Sequence, residues 1–472
     1  MTTNPSGISR RTLLKGLAAS ATVPLAGCSP SPASPPLAAP YVPGKPLPWI
    51  NWGKNHSCYP SQRLAPRNEQ QLLQGLTQAK GTVRAVGSSH AFSALVPTDD
   101  TLLTTDYLSG LVSHDPATRQ AEVWGGTRLH SLGPLLESVG LATQNLPDMD
   151  YPSLAGAIAT STHGTGKHFG SLSTQVAGLT LATVDGQLLD VSAQQHPQIF
   201  NAARTHLGAL GIVSRVRLQC QNSYRLTEVS QVEPLEQMLS ELDLRMSNNR
   251  HFEIFALPYS PLGISVTTNE AKAADVNQGE EDPGALNQLR QVFESVSWLP
   301  GVGESLYAWL LDKAFGGNPP VVRTGPSYRV LAHARTTRFC EMEYSVPVEA
   351  GPECLRKVLD TIERRKLPAC FPIEYRHVKS DDIMLSMYQG RDSAVLSIHQ
   401  FGDLDYRPFF AEIEPIFHQY EGRPHWGKIH TLQAPQLAAL YPKHWQDFLA
   451  IRESLDPKGK LLNAHLKQVL GV

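Results

Sequence analysis

The sequence predicts an α+β fold in two parts, and two patterns along the chain predict it. From about residue 48 to residue 221, short apolar segments alternate with amphipathic segments and frequent glycine turns. From residue 224 to about residue 400, longer strand-like segments flank helical ones, which is typical of a sheet with helices on one face. The chain has 472 residues, enough for two or three domains with large cores.

The first part begins with an amphipathic segment. Residues 68–79 place Leu72, Leu73 and Leu76 on one side, which predicts a helix. Alternating or continuous apolar runs then predict strands at residues 82–86, 101–104, 122–124, 176–184 and 211–218.

The second part contains longer apolar runs. They predict strands at residues 252–257, 339–346, 371–376 and 394–399. Near the C-terminus, the sequence predicts a strand at residues 425–432, a helix at residues 444–454 and a turn at residues 456–459.

The N-terminus predicts export rather than a folded element. Residues 9–15, Ser-Arg-Arg-Thr-Leu-Leu-Lys, form a twin-arginine signal, and the apolar stretch that follows is too short to span a bilayer. Residues 25–28, Leu-Ala-Gly-Cys, resemble a bacterial lipobox, in which Cys28 would carry the lipid. Residues 29–48 are rich in Pro, Ala and Ser and predict a semi-rigid tether. We therefore expect a periplasmic or otherwise extracytoplasmic protein, anchored to a membrane through Cys28.

Charge and cysteine content narrow the classes of ligand. The net charge is −2 and no basic run is interleaved with aromatic residues, so the sequence does not favour nucleic-acid binding. Beyond Cys28, the five cysteines are scattered without a C-x-x-C pair. We therefore expect buried free thiols rather than a disulfide framework or a metal site, although the pattern leaves a single bridge open.

Two runs of small residues carry the chemical signal. Residues 86–93, Val-Gly-Ser-Ser-His-Ala-Phe-Ser, predict a tight turn that leaves a strand and presents His90. Residues 153–166, Ser-Leu-Ala-Gly-Ala-Ile-Ala-Thr-Ser-Thr-His-Gly-Thr-Gly, lack bulky side chains over most of their length, so their backbone can lie close to a planar ring or a pyrophosphate. A Rossmann glycine motif, a P-loop, an H-E-x-x-H motif and a G-x-S-x-G elbow are all missing from the sequence.

At these residues the chain resembles a known family: the sugar-lactone and alditol oxidases of the vanillyl-alcohol-oxidase flavoprotein superfamily. The resemblance continues in order along the chain, through segments 207–213, 341–344, 425–430 and 456–459. It implies an FAD-binding domain and a cap domain with a mostly antiparallel sheet, which bind the flavin ring between them. On this basis we expect a signal at residues 1–28, a tether at 29–48, the FAD-binding domain at 49–223, the cap (substrate) domain at 224–420 and a segment completing the active site at 421–472.

The resemblance also implies the residues that bind the cofactor. His90 matches the histidine that many members link covalently to FAD, although Ser89 and Ala91 replace a Gly and a Ser of the usual pattern. The full set of expected FAD-binding residues is Gly87, Ser88, Ser89, His90, Ala91, Ser153, Gly156, Ala157, Thr160, Ser161, Thr162, Gly164, Ile212, Val213 and His425.

Three further residues are expected to act on the substrate. On a strand, Glu374 and Arg376 share one face, and on the predicted strand 425–432 Lys428 faces the same way as Trp426 and His430. A carboxylate, a guanidinium and an ammonium suit a polyhydroxylated substrate. The resemblance assigns substrate binding or activation to Glu374, Arg376 and Lys428, while a surface ion pair is the alternative for Glu374 and Arg376 taken alone.

The expected reaction is oxidation of a carbinol in a sugar-derived lactone or polyol, with hydride transfer to flavin N5. Pro147, near the oxygen-reactive edge of the flavin in the resemblance, favours O2 as acceptor and H2O2 as product. A dehydrogenase that uses a cytochrome or quinone is the alternative. A solute-binding lipoprotein without chemistry is a third reading, but it leaves both small-residue runs and Lys428 unexplained.

Overall fold

The computed structural model describes residues 42–272, 275–279, 285–296, 303–315, 319–333 and 337–472. The export signal, Cys28 and most of the tether lie outside these residues. Within them, the α+β fold class is confirmed, with a mostly antiparallel sheet in the C-terminal half.

The strands have the following bounds: β1 (Trp49–Ile50), β2 (Ser57–Cys58), β3 (Gln62–Leu64), β4 (Val83–Val86), β5 (Thr101–Thr104), β6 (Leu111–Asp115), β7 (Gln120–Trp124), β8 (Leu141–Ala142), β9 (Val176–Ala182), β10 (Leu188–Ser192), β11 (Ile212–Gln219), β12 (Gln221–Asn222), β13 (Arg225–Pro234), β14 (His251–Ala256), β15 (Leu262–Glu270), β16 (Val321–Pro326), β17 (Phe339–Pro347), β18 (Ile373–Val378), β19 (Ser393–Phe401) and β20 (Arg423–Pro424).

The α-helices have the following bounds: α1 (Glu69–Gln78), α2 (Leu129–Glu137), α3 (Leu154–Ala159), α4 (Pro197–Ala203), α5 (Leu235–Ser240), α6 (Leu242–Asn248), α7 (Ala285–Val296), α8 (Gly303–Phe315), α9 (Ser327–Leu331), α10 (Gly351–Arg365), α11 (Tyr406–Gln419), α12 (Ala434–Leu440), α13 (Trp445–Leu455) and α14 (Ala464–Leu470).

Two larger sheets, together with the two-stranded sheets β1-β2 and β12-β8, form the described part of the N-terminal half. The first is parallel, in the order β3-β5-β4, and the second is antiparallel, in the order β10-β9-β11-β7-β6. Helix α1 begins where the Asn68 side chain accepts a hydrogen bond from the Gln71 amide, and it buries Leu72 and Leu76. The predicted helix and strands of this half are confirmed at these places.

One antiparallel sheet of eight strands organises the C-terminal half, in the order β16-β13-β15-β14-β18-β19-β17-β20. Its central strands β17, β18 and β19 are buried almost throughout, because α10 and α11 pack on one face and the N-terminal half lies close to the other. Strand β18 pairs with β14 and β19, which sets Glu374 opposite Phe255 and Ser397.

The strand predicted at residues 425–432 is wrong. After β20, which ends at Pro424, the chain forms a turn in which the Lys428 amide donates to the His425 carbonyl at 2.9 Å. The Gly427 amide donates to His425 Nδ1 at 3.0 Å, and the Phe92 amide donates to the Gly427 carbonyl at 2.7 Å. These local and long-range bonds satisfy the backbone groups that a strand would have paired, so the alternation inferred for Trp426, Lys428 and His430 does not apply.

The C-terminal residues return to the N-terminal half. The Val83 amide donates to the Lys460 carbonyl at 2.8 Å, and Asn463 Nδ2 donates to the carbonyls of Ala94 and Pro97, each at 2.9 Å. Among the described residues, the helices are all too short or too polar to cross a bilayer.

Candidate active site

One large cavity lies between the two halves of the protein. It encloses about 1430 Å³ of space not filled by protein atoms, part of it open to solvent. The turn after β4, the start of α3 and residues 206–213 line one side. Strands β17, β18 and β19 and the turn that carries Lys428 line the other.

The turn after β4 presents unused backbone donors to this cavity. Within the described residues, the N–H groups of Ser88, Ser89, His90 and Ala91 donate no hydrogen bond. Ser89 has φ 62°, a left-handed conformation that glycine adopts more readily, which explains why the usual family pattern has glycine here. Its Oγ accepts a hydrogen bond from Trp49 Nε1 at 3.0 Å, which helps to hold the turn.

The segment 49–56 clamps this turn from outside. The Trp52 amide donates to the Ser89 carbonyl at 2.7 Å, and Asn51 Nδ2 donates to the Ala91 carbonyl at 2.9 Å. The Trp52 ring lies 4.6 Å from the His90 ring, measured between centroids. The conformation of the His90 turn is therefore fixed by residues about 40 positions earlier in the chain.

His90 is a neutral imidazole with both nitrogens available. Burial, and secondarily the charge of Lys428, lower the pKa of His90 to about 3. In the described part of the chain, neither ring nitrogen of His90 has a hydrogen-bond partner, and Nε2 is fully buried.

The second small-residue run packs against the first. Ser153 caps α3, since its Oγ accepts a hydrogen bond from the Gly156 amide at 3.3 Å. A Cβ on Gly87 would collide with this same Oγ. Only a glycine at residue 87 therefore lets the two runs approach this closely.

Arg84 adds a buried positive charge to this side of the cavity. Its guanidinium donates to the carbonyls of Leu95 (2.7 Å), Gly208 (2.8 Å), Leu207 (2.9 Å) and Leu461. No carboxylate in the described ranges pairs with Arg84, and burial lowers its pKa to about 9. The charge is thus satisfied by hydrogen bonds but has no counter-ion within the protein.

These features fit an FAD. Free amide donors and an uncompensated guanidinium suit a diphosphate, and the two small-residue runs leave space for a flat ring beside His90. The residues that would hold the group are those of the His90 turn, the start of α3 and Ile212-Val213, all of which line the cavity.

The opposite wall is built of buried charges. Arg376 forms an ion pair with Glu374, a second with Glu253 (Nε to Oε2, 2.9 Å) and a longer one with Asp148 (Nη2 to Oδ2, 3.9 Å). Burial would lower the pKa of Arg376, but these carboxylates raise it well above its ordinary value. Burial raises the pKa of Glu253 in spite of Arg376.

His333 extends this network away from the cavity. Its Nδ1 pairs with Asp148, and its Nε2 lies 3.3 Å from Glu228 Oε2. Burial alone would lower the pKa of His333, but Asp148 and Glu228 raise it to about 10. The imidazole is therefore a cation, and it pairs with Asp148 on the side away from the cavity.

A second group of charges lies on β17. Glu343 accepts from His163 Nε2 at 3.0 Å and from Ser397 Oγ at 2.7 Å. Burial opposes its ionisation, yet His163, which is hydrogen-bonded to the carboxylate, and the charge of Lys428 hold the pKa of Glu343 well below its ordinary value. Two residues earlier on the same face, Glu341 pairs with Lys428 and lies 3.6 Å from His399 Nε2.

The model of the D-arabinono-1,4-lactone oxidase family matches residues 216–469, and that of an FAD-binding domain matches residues 60–192. The chain belongs to the D-arabinono-1,4-lactone oxidase family. This confirms the resemblance to the sugar-lactone and alditol oxidases.

The family includes relatives that match nearly the whole chain. L-gulono-1,4-lactone dehydrogenase of Mycobacterium tuberculosis is 36% identical over 435 residues, covering 90% of this chain and 99% of the relative. L-gulonolactone oxidase of Bos taurus is 30% identical (89% and 97% covered), and alditol oxidase of Streptomyces sp. is 27% identical (89% and 98% covered). Among solved structures, cholesterol oxidase from Brevibacterium sterolicum has a TM-score of 0.72 at 16% identity, with 92% and 100% of the two chains covered, which shows a shared fold.

The structure brings most of the expected site residues to one cavity. Glu374, Arg376, Lys428 and His425 line it, together with the expected residues of both small-residue runs except two. Among the described residues, Ser161 and Gly164 do not line the cavity. Ser161 Oγ lies 3.1 Å from Ser386 Oγ on the far side of the run, and a Cβ on Gly164 would strike the Leu146 carbonyl.

Sequence reasoning missed the residues that form ion pairs with the expected site residues. Asp148, Glu253, Glu341, Glu343 and His163 hold Arg376, Lys428 or one another. One signal was present: two glutamates at alternate positions of the otherwise apolar strand 339–347 require buried partners on one face. The other partners come from segments far apart in the chain.

Proposed function

We propose that this protein is an FAD-dependent oxidoreductase that oxidises a carbinol of a sugar-derived lactone or polyol. When bound, the flavin supplies an acceptor at N5 for the electron pair of the carbinol C–H bond, taken as a hydride. The observation that carries the proposal is the cavity between the two halves. One of its walls carries His90 and backbone amides that donate no hydrogen bond within the described residues, and the other carries Lys428, Arg376 and their carboxylates.

The chain's own residues would bind and orient the substrate. Lys428 and Arg376 present N–H donors to substrate oxygens. Glu374, which is paired with Arg376, accepts hydrogen bonds from substrate hydroxyl groups. Arg376 and Glu374 are buried, Lys428 is half-buried, and all three are already paired, so they need little reorganisation when the substrate arrives.

The main test measures flavin bleaching without oxygen over a panel of aldonolactones and alditols. Lys428→Met should keep the flavin spectrum and reduce the bleaching rate by about 10²–10⁴-fold, the usual contribution of a group that manages a proton. The matched control is Lys443→Met at an exposed lysine, which should bleach at the wild-type rate. Full activity of Lys428→Met would show that Lys428 does not act on the substrate.

We further propose that His90 is linked covalently to the flavin. Support comes from its neutral imidazole, whose unprotonated nitrogen keeps a lone pair, and from its place on the cavity wall. Yellow colour should survive acid precipitation of the wild type and be lost from precipitated His90→Ala. A colourless wild-type precipitate would show that the flavin is held without a covalent bond.

We propose O2 as the electron acceptor, with H2O2 as the product. Pro147 lines the cavity, which supports this choice. The alternative is a dehydrogenase with a cytochrome or quinone acceptor, and the Mycobacterium tuberculosis relative bears a dehydrogenase name. Rapid reoxidation of the bleached enzyme in air, with stoichiometric H2O2, is expected. Reoxidation only after addition of cytochrome c or a quinone would favour the alternative.

We also propose export by the twin-arginine route and lipid anchoring through Cys28. The twin-arginine and lipobox motifs, in the required order, support this. Full-length protein expressed in a bacterium should label with palmitate and fractionate with membranes, and Cys28→Ser should abolish both effects. A soluble, unlabelled wild-type protein would contradict anchoring.

A further inference from the structure

The Lys428–Glu341 pair suggests a role for a residue outside the expected site. We propose that Glu341 is a positioning residue that keeps Lys428 as an ammonium facing the substrate and takes up the proton released by the carbinol. The inference rests on the proposed function, since it concerns the same oxidation.

Glu341 holds the Lys428 turn through both its backbone and its side chain. Its backbone carbonyl accepts from the Ile429 amide at 3.0 Å, and its carboxylate pairs with Lys428 Nζ. The His425 amide donates to the Glu343 carbonyl at 2.9 Å, so the turn is fastened to β17 on both sides of Lys428. A turn held in this way fixes where the ammonium points.

The other groups around Lys428 do not replace this carboxylate. Nζ lies 5.1 Å from the centre of the Phe92 ring. His90 and His425 are neutral, since burial lowers the pKa of each to about 3. Glu343 is already bonded to His163 and Ser397. In the described part of the chain, Glu341 is therefore the carboxylate in ion-pair contact with Lys428.

The pair determines where the hydroxyl proton can go. An ammonium has three N–H donors and no lone pair, so Lys428 binds the carbinol oxygen but cannot take its proton directly. Lys428 first passes one of its protons to Glu341 and then accepts the hydroxyl proton. At the end Lys428 is again an ammonium, Glu341 is a carboxylic acid, and the carbinol has become a carbonyl whose C–H electron pair left as hydride to the bound flavin.

The surroundings of Glu341 suit this role better than those of Glu374. The Oε2 atom of Glu341 faces Lys428, while Oε1 lies 3.6 Å from His399 Nε2 on β19. Glu374 instead pairs with Arg376, a guanidinium that is not deprotonated at neutral pH and so cannot pass a proton on.

The experiment compares Glu341→Gln, Glu341→Asp and Glu343→Gln in the loaded enzyme. The anaerobic bleaching rate is measured from pH 6 to 10 with a lactone or polyol that bleaches the wild type. In Glu341→Gln, a neutral Lys428 must accept the proton. Its rate should therefore fall about 10²-fold at pH 7 and rise with pH. This rising limb of the pH–rate profile is one that the wild type lacks. Glu341→Asp should restore part of the rate without this limb, and Glu343→Gln should not create the limb.

A second readout does not depend on turnover. Acetic anhydride labelling of Lys428 at pH 8, measured by mass spectrometry against exposed Lys443, should increase several-fold in Glu341→Gln, because the carboxylate that pairs with the Lys428 ammonium is then missing. It remains informative if the variant binds flavin poorly.

Two results would overturn the inference: an unchanged rate in Glu341→Gln, or an equal loss at every pH with unchanged Lys428 labelling, which indicates a structural pair only. Failure of the wild type to bleach with any lactone or polyol would instead contradict the proposed function.

Discussion

The two walls of the cavity are built by opposite means. The wall proposed to hold the cofactor, called the cofactor wall, consists of small side chains, backbone amides that donate no hydrogen bond within the described residues, and the buried cation Arg84, whose partners among those residues are carbonyls. The substrate wall is a dense array of buried acids and bases around Arg376 and Lys428. The first wall leaves room for a ligand because its side chains are small. The second wall offers a ligand charged groups that ion pairs already hold in position. Mutations should therefore harm the two walls for different reasons.

The largest effect is expected on the substrate wall. Arg376→Met leaves Glu374, Glu253 and Asp148 without their shared cation, so the free energy of unfolding should fall by about 3–5 kcal/mol. Urea unfolding measures this change. The control is Arg364→Met, which breaks an exposed pair with Asp360 and should cost less than about 1 kcal/mol. Equal losses in the two variants would contradict the contrast drawn between the walls.

On the cofactor wall, Gly87→Ala should act through flavin binding. The new Cβ displaces Ser153 Oγ from its cap on α3, so stability should fall by about 1 kcal/mol and flavin content should drop several-fold. The measurements are the ratio of flavin to protein absorbance and urea unfolding. Gly325→Ala, where a Cβ has its nearest atom at 3.7 Å, is the control that should keep both values. Full flavin content in Gly87→Ala would show that the runs can separate.

Another test concerns pH and His333, the cation that pairs with Asp148. The pKa of His333 in the folded protein, about 10, lies above its ordinary value of 6.5. Its stabilising contribution is therefore complete below about pH 6.5 and is lost as the pH rises towards 10. The thermal midpoint of the wild type should fall over this interval more steeply than that of His333→Gln. Parallel curves would mean that the cation is not His333.

The smallest effect separates strain from hydrogen bonding at Ser89. Ser89→Ala keeps the left-handed backbone strain and loses the bond from Trp49, so it should lose about 1 kcal/mol of stability. Ser89→Gly loses the same bond but relieves the strain, so it should lie within about 0.5 kcal/mol of the wild type. If the two variants are equally stable, the turn does not strain the residue.

The features that sequence reasoning could predict are the local ones. Glu374 and Arg376 share a face because strand residues two apart always do, and the turn after β4 follows from small residues at the end of an apolar run. The partners could not be predicted in this way. Lys428 pairs with a residue 87 positions away, and Arg376 pairs with Glu253, 123 positions away, so only the assembled sheet brings them together.

The wrong strand prediction and the two expected residues that do not line the cavity have the same origin. The segment after Pro424 has strand-like composition, but bonds from Phe92 and to β17 fold it into a turn, and these contacts leave no periodic signal in the sequence. Ser161 and Gly164 lie in the expected run but do not line the cavity. The backbone at Ser161 has φ 62°, which turns this side chain away while Thr160 and Thr162 line the cavity, and sequence alone does not reveal that conformation.

The clamp formed by residues 49–56 connects the N-terminus mechanically to the turn that bears His90. Trp49, Asn51 and Trp52 grip the turn that bears His90, and they are the first strand and turn after the predicted tether. A chain anchored at its start would deliver any pulling force to this clamp before any other element. Proteolytic removal of residues up to 56 should likewise loosen the flavin while the eight-stranded sheet stays intact.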